Sequence, residues 1–163
     1  MSVAACSLPP AALLAVYQGQ EGAYTDCFSV QHTGEADLSA FIGAFYTTWL
    51  FRLERAVLTV ALRKRIRDSD VVALAEGHAT EFAVWTVESR AERQILLRDM
   101  FGKTRSFLSV APVGDGSTEL LFGSAVVSGG GSGSSLFMRL TTPLHQIYAK
   151  ALLRQAERRL RRG

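Results

Sequence analysis

Cysteine is scarce: Cys6 and Cys27 are the only two in 163 residues. That number cannot build the disulfide framework of a small secreted domain, and both sit near one end of the chain, where a bridge would constrain little. Neither has a C-x-x-C partner or a neighbouring histidine, so zinc and dithiol-motif chemistry are not indicated. We read them as thiols of a reducing, cytoplasmic compartment. No apolar run approaches the roughly 20 residues that cross a bilayer, and the apolar stretch Leu8 to Tyr17 lacks the positive flank of a secretory signal. Lysine and arginine are missing from the first 51 residues, which carry only Glu21, Asp26, Glu35 and Asp37. Signature motifs are missing too. There is no G-K-[ST] for a phosphate loop and no serine in G-x-S-x-G.

What is present is an ordinary globular composition, 48% apolar and 20% charged, enough for one domain with a core of its own. The charge is unevenly placed: the first 51 residues sum to −4 and the remainder to +7. The basic excess gathers at Arg63, Lys64, Arg65 and Arg67, and again at Arg154, Arg158, Arg159, Arg161 and Arg162. No nucleic-acid motif or interleaved aromatic accompanies these runs, so we expect no nucleic-acid partner. An anionic membrane surface, or a second copy of the chain, is the alternative partner for such faces.

Pro9, Pro10, Gly19 and Gly22 break residues 1–23 into a short helix or a loose arm, and residues 24–163 form the domain proper. Tyr24 to His32 alternates as a half-buried strand. Asp37 can cap a helix with Leu38, Phe41, Ile42 and Phe45 on one face. Leu50 to Arg67 repeats the helical period, and a short third helix from Asp68 or Ser69 ends at Gly77, where a left-handed residue is cheapest. The period then changes to two, with strands at Thr80–Glu88, Arg93–Phe101, Arg105–Val113 and Thr118–Val127. Asp115-Gly116 reads as a two-residue type I′ turn. A long helix with Pro143 restricting its start closes the chain, its apolar stripe running through Leu140, Leu144, Ile147, Tyr148, Ala151, Leu152 and Ala156. The predicted fold is α+β: a curved antiparallel sheet of five or more strands, helices inserted after the first, packed on the long C-terminal helix.

Each candidate for chemistry has a plainer rival. The run SGGGSGSS over 128–135 stands between strand and helix, but with Gly129 and Gly131 as the first glycines of G-x-G-x-x-G, Ser134 falls at the third, so we read a connector. Glu76, His78 and Glu81 are the one compact set of metal-ligand types, explained as well by a solvated turn; we expect no metal and no cofactor. A hairpin turning at Ser89 to Glu92 would set Trp85 opposite Leu96 and Ala83 opposite Arg98, making an aromatic and a cation neighbours. A two-residue loop at Asp115-Gly116 would put Phe107 and Phe122 on one face, with Gly123 and Ala125 leaving gaps on the other. His145 and Tyr148 share a side of the last helix. Trp85, Arg98, Phe107, Phe122, His145 and Tyr148 are thus the candidate ligand-binding residues, with Arg98 for an anionic head and the aromatics for a hydrocarbon body.

Three stretches carry a resemblance: Ala44-Phe45-Tyr46-Thr47-Thr48-Trp49-Leu50 running into Arg52-Leu53-Glu54-Arg55, the strand Arg105-Ser106-Phe107-Leu108-Ser109-Val110, and Pro143-Leu144-His145. With the element order, they make residues 24–160 resemble the START-like helix-grip (SRPBCC-type) superfamily, and within it a bacterial branch with no agreed activity. The resemblance implies six or seven strands, where the periodicity yields five. It also implies a small apolar or amphipathic ligand held between the sheet and the last helix. An interaction module using the basic helix faces is one alternative. A cyclase or hydratase with His145, Tyr148 and Arg98 as its acid, base or oxyanion groups is the other.

Overall fold

The computed structural model describes residues 2–53, 66–127 and 134–163. In chain order the elements are β1 (Ala4–Ala5), a 3-10 turn (Leu13–Tyr17), β2 (Ala23–Thr33), α1 (Leu38–Tyr46), a helical segment over 49–53, and α2 (Asp68–Ala75). Then come β3 (Glu81–Phe82), β4 (Trp85–Ala91), β5 (Gln94–Asp99), β6 (Thr104–Gly114), β7 (Ser117–Val127) and α3 (Ser134–Leu160). Of the predicted helix Leu50 to Arg67, residues 54–65 lie outside the described residues, and so do 128–133 of the glycine-serine connector. The fold is α+β, with seven strands in one open antiparallel sheet ordered β1-β2-β7-β6-β5-β4-β3. Two of these strands, β1 and β3, are two residues long, too short for a periodicity to announce.

Local chemistry sets the helix ends. Asp37 accepts a hydrogen bond from the Ala40 amide at 2.7 Å and so caps α1. At the far end of α2, Gly77 takes φ +78°, as predicted, while the Arg90 guanidinium donates to the Leu74 and Ala75 carbonyls. A cation there also suits the negative end of the helix. Helix α3 begins at Ser134, before Pro143 rather than at it.

The sheet is covered on both faces. On one, α1 and α3 lie side by side, and Phe41, Ile42, Phe45, Leu152 and Leu153 join Phe28, Leu108 and Phe122 in the main core. Phe45 packs on Phe122 with ring centroids 4.9 Å apart, so α1 sits over the strands while α3 rests on β2 and β7 beside it. On the other face, Ala12 and Leu14 pack on Leu96, Phe107 and Ala125. The N-terminal segment read as an arm therefore supplies an edge strand and the cover of the second face. Its backbone is tied down by Gln94, which accepts from the Leu13 amide at 2.9 Å and donates to the Ala11 carbonyl at 3.3 Å.

Register decides which residues meet. Asp115 and Gly116 both have positive φ, the predicted type I′ turn, yet the pairing beyond them is one residue off expectation. Gly114 pairs with Ser117 but Pro112 pairs with Thr118, so Val113 is an extra residue, and Gly114 at φ +86° accommodates it. A one-residue slip exchanges faces. Phe107 thus pairs with Gly123, and Leu108 with Phe122. The β4–β5 hairpin corrects likewise: its turn is Glu92-Arg93, with an irregularity between Val87 and Ser89, and Trp85 pairs with Asp99 rather than Leu96.

The gap expected at Gly123 is filled. A Cβ built there would lie 2.7 Å from Leu14 Cδ2 and 3.1 Å from the Asp26 carbonyl oxygen. Gly123→Ala should therefore destabilise the fold by about 1–3 kcal/mol through overpacking. In urea unfolding, the loss in a Leu14→Ala background should be smaller than in wild type; strictly additive losses would contradict this contact.

Candidate functional site

The six predicted ligand residues divide between the two faces of the sheet. Trp85, Phe122, His145 and Tyr148 are on the helix side: Phe122 within the main core, Trp85 and Tyr148 packed against it, and His145 of α3 reaching Ser124 of β7. Phe107 and Arg98 are on the other side, because Phe107 joins the N-terminal cluster and Arg98 pairs with Arg105, which in turn pairs with Ala125 of that cluster. Arg98 is exposed, its guanidinium lying over Gly102, so it does not neighbour Trp85. The proposed acid, base and oxyanion set of His145, Tyr148 and Arg98 is thereby split across the sheet.

The stripe on α3 is also turned from the predicted one. Ala149, Leu152, Leu153 and Ala156 are buried, whereas Leu144 and Ile147 are 72% and 68% exposed. The buried set keeps a spacing of three and four residues, but its face is set by contact with α1 and β2, which the helix's own periodicity does not record.

His145 enters a polar cluster that no motif foretold. Ser124 Oγ lies 2.5 Å from Asp26 Oδ1 and 2.8 Å from His145 Nε2, and the same His145 nitrogen is 3.7 Å from Asp26 Oδ2. The three residue types are those of a nucleophilic triad, but the connectivity is not. In a triad the carboxylate orients the imidazole through Nδ1 and leaves Nε2 to take the serine proton. Here Asp26 takes that proton bond itself, so Ser124 donates to the carboxylate and Nε2 donates to Ser124. The cluster is a latch: it ties α3 to β2 and β7 and partners a buried carboxylate. Gln146 adds a second tie, donating to Tyr24 Oη at 3.1 Å.

Two further charge clusters hold the fold together. Arg105, buried on the N-terminal face, donates through Nε to Tyr17 Oη at 2.9 Å and forms an ion pair with Glu88 at 2.8 Å, while its guanidinium stacks 4.7 Å from the Tyr17 ring. Tyr17 donates in turn to Glu88. Burial, then the Glu88 carboxylate, push its phenol above the ordinary tyrosine range. Near the end of α3, buried Glu157 is held by Arg161 at 2.5 Å and stands 3.5 Å from His32 Nδ1. Glu76 and His78 approach within 3.3 Å on an exposed turn, and among the described residues no three metal-ligand side chains cluster.

Beside the His32–Glu157 contact opens a groove of about 910 Å³ between α1 and the last turns of α3. Its α1 wall is built of the small side chains Ala40, Gly43 and Ala44, continued by Ala36 before the helix and Thr47 after it, and Glu35 and His32 complete that side of the lining. A Cβ at Gly43 would meet nothing within 4 Å. The opposite wall carries Gln155, Arg158, Arg159 and Arg162, and Trp49, 67% exposed, stands at the margin. Among the described residues, the buried Gln155 side-chain oxygen has no hydrogen-bond partner. Thr118 fixes the loop at the groove's edge, accepting from the Ala36 amide at 3.0 Å and donating to the Gly34 carbonyl at 2.9 Å. Small residues facing cations across a trough can seat an apolar body and an anionic head together. The arginine run was visible in the sequence, but the small-residue wall was not, because alanine and glycine in a helix read as propensity rather than as shape.

Comparisons of the sequence with protein families and with curated proteins, and of the fold with solved structures, find no match. Among the described residues, no helix is long and apolar enough to cross a membrane.

Ser124→Ala removes the hydroxyl that donates to Asp26 Oδ1 and should cost about 1–3 kcal/mol in urea unfolding at neutral pH. In an Asp26→Asn background the same substitution should cost less, since no charge is stranded. An equal cost in both backgrounds would show that Ser124 does not serve the carboxylate.

Proposed function

We propose that this chain is a noncatalytic binding protein of helix-grip layout, taking a small anionic amphipathic molecule. The layout is supported by the pairing of the first long strand, β2, with the last, β7, by the helices placed between β2 and β3, and by seven strands where the resemblance implied six or seven. The ligand is placed in the groove between α1 and the end of α3. The space directly between sheet and C-terminal helix is shared with α1, whose Phe45 lies against Phe122. One observation carries the reading: a trough of about 910 Å³ with the small residues Ala40, Gly43 and Ala44 along one side, Glu35 and His32 in the same lining, and three arginines, Arg158, Arg159 and Arg162, on the other. The volume falls within the range of small-molecule sites, roughly 300–1,000 Å³.

A membrane-surface role has its own support, since Trp49 and Leu53 are exposed one helical turn apart and Trp49 borders the arginines. The two readings separate by the physical state of the ligand. A soluble amphipath is bound as a monomer, whereas a surface needs a bilayer.

With Trp85→Phe leaving Trp49 as the one indole, monomeric decyl phosphate should change the fluorescence saturably, and inorganic phosphate should bind at least about tenfold more weakly for want of a buried chain. Gly43→Leu should abolish binding without loss of stability, because the new side chain enters open space and helix propensity improves by about 0.5–1 kcal/mol. Arg158→Gln with Arg162→Gln should weaken binding about tenfold or more. Binding that survives Gly43→Leu would remove the groove from the account. Binding to anionic vesicles alone would favour the surface reading.

A further inference from the structure

Cys6 and Cys27 are separated by 20 residues of sequence that loop out and return, yet their Sγ atoms stand 3.0 Å apart. The approach is enforced by the sheet. β1 pairs with β2 in the register Ala4 to Ser29 and Ala5 to Phe28, and its continuation brings Cys6 opposite Cys27, with the Cys6 amide donating to the Cys27 carbonyl at 3.0 Å. The Cα atoms of such a hydrogen-bonded antiparallel pair stand about 5.5 Å apart, within the span a disulfide bridges. Both thiols are free in this structure; Cys6 is half-buried at the sheet edge and Cys27 is buried beneath it. One sulfur can thus meet a solute while the other waits within bonding reach.

We propose that Cys6 and Cys27 are a reversible oxidation site, converted to an intramolecular disulfide by a peroxide or by a small-molecule disulfide. Cys6 is the attacking sulfur, being the more accessible. The Cys27 thiol hydrogen bond also draws the Cys6 thiol below its ordinary range, although burial opposes it, while the same contact and burial push Cys27 up. With a peroxide, the Cys6 thiolate attacks one oxygen; an S–O bond forms, the O–O bond breaks, and hydroxide leaves as water after taking a proton. The Cys27 sulfur then attacks the Cys6 sulfenic acid, the S–S bond forms, and the departing hydroxide leaves as water with the Cys27 proton. Two thiols and one peroxide give one disulfide and two waters. With a small disulfide, Cys6 displaces one thiolate and Cys27 the second.

The bridge would enclose the segment that covers the second face of the sheet, including Leu14 in the notch at Gly123 and Tyr17 on Arg105. In the reduced chain that segment is held by noncovalent contacts and a two-residue strand. Oxidation therefore staples the cover to the sheet edge.

The test uses the full reduced chain treated with hydrogen peroxide or glutathione disulfide, then digested without reduction. A Cys6–Cys27 cross-linked peptide lighter by two hydrogens, lost on dithiothreitol treatment, is expected. Tm should rise by about 5 °C or more on oxidation, and amide exchange over residues 4–17 should slow. Cys6→Ser should abolish both the cross-link and the Tm rise. Because Cys27 is buried, the conservative Cys27→Ala variant serves as the second arm: its Cys6 should stop at a sulfenic acid or a mixed disulfide. In timed alkylation of the wild type, Cys6 should react before Cys27. Over-oxidation of Cys6 with no bridge, bridges only between molecules, an unchanged Tm, or a Tm rise that persists in Cys6→Ser would each overturn the proposal.

Discussion

The rest of the structure hangs on the antiparallel pairing of β2 with β7, eleven residues against eleven, from Ala23 with Val127 to Thr33 with Ser117. It joins the first long strand to the last and turns a meander of hairpins into a single sheet. Local turns place β4, β5, β6 and β7 with little loop entropy, whereas β2 must close over the whole helical insertion to find its partner. Helices α1 and α3, which follow β2 and β7 in the chain, share one face of the sheet. The other face is left for the N-terminal segment, which arrives on the free edge of β2. Both candidate sites follow from that arrangement: the groove is the seam between two helices sharing one face, and the thiol pair is the seam at the sheet edge.

Buried polarity in this fold is spent on attachment. Asp26, Ser124 and His145 fasten α3 to the central strands; Arg105, Glu88 and Tyr17 fasten the N-terminal cover; Glu157 and Arg161 lie where α3 passes His32. Each cluster joins parts of the chain distant in sequence; Glu88 and Glu157 each meet an arginine, whereas Asp26 accepts from Ser124 through Oδ1 and its buried Oδ2 has no hydrogen-bond partner among the described residues. This explains why side chains with catalytic potential can converge without forming a catalytic relay. The Ser124 hydroxyl donates its one hydrogen bond to the Asp26 carboxylate, so the imidazole nitrogen beside it stands as donor to the serine oxygen rather than as acceptor of its proton. By contrast, Arg158 and Arg162 border the groove, and among the described residues neither belongs to one of these clusters; binding chemistry needs charges of that kind.

Much of the architecture could be read from the chain alone, since it is written in local signals. The Asp37 cap, the Gly77 helix stop and the Asp115-Gly116 turn are each decided within a few residues, and each is where expected. What escaped was register. Pro112 and Gly114 flanking Val113 were a usable warning, because a proline in a strand and a glycine beside it mark bulges. The extra residue turns Phe107 to the face opposite Phe122, whereas the unbulged register puts the two together. The stripe on α3 escaped for another reason: Leu144 and Ile147 are as apolar as Leu152 and Leu153, and only the position of α1 determines which pair is covered. The groove and the thiol pair were less legible still. They are shapes and distances produced by tertiary packing, in one case from residues chosen for smallness.

The functional account stands or falls on where an amphipathic anion docks, and amide chemical-shift mapping during a decyl phosphate titration locates it residue by residue. Saturable shifts clustered at residues 36–49 and 155–163, with the sheet's N-terminal face around Leu14 and Phe107 silent, are the result this account predicts. Shifts centred on Leu14 and Phe107, or on Trp85 and Phe122, or no saturable shifts at all, would contradict it.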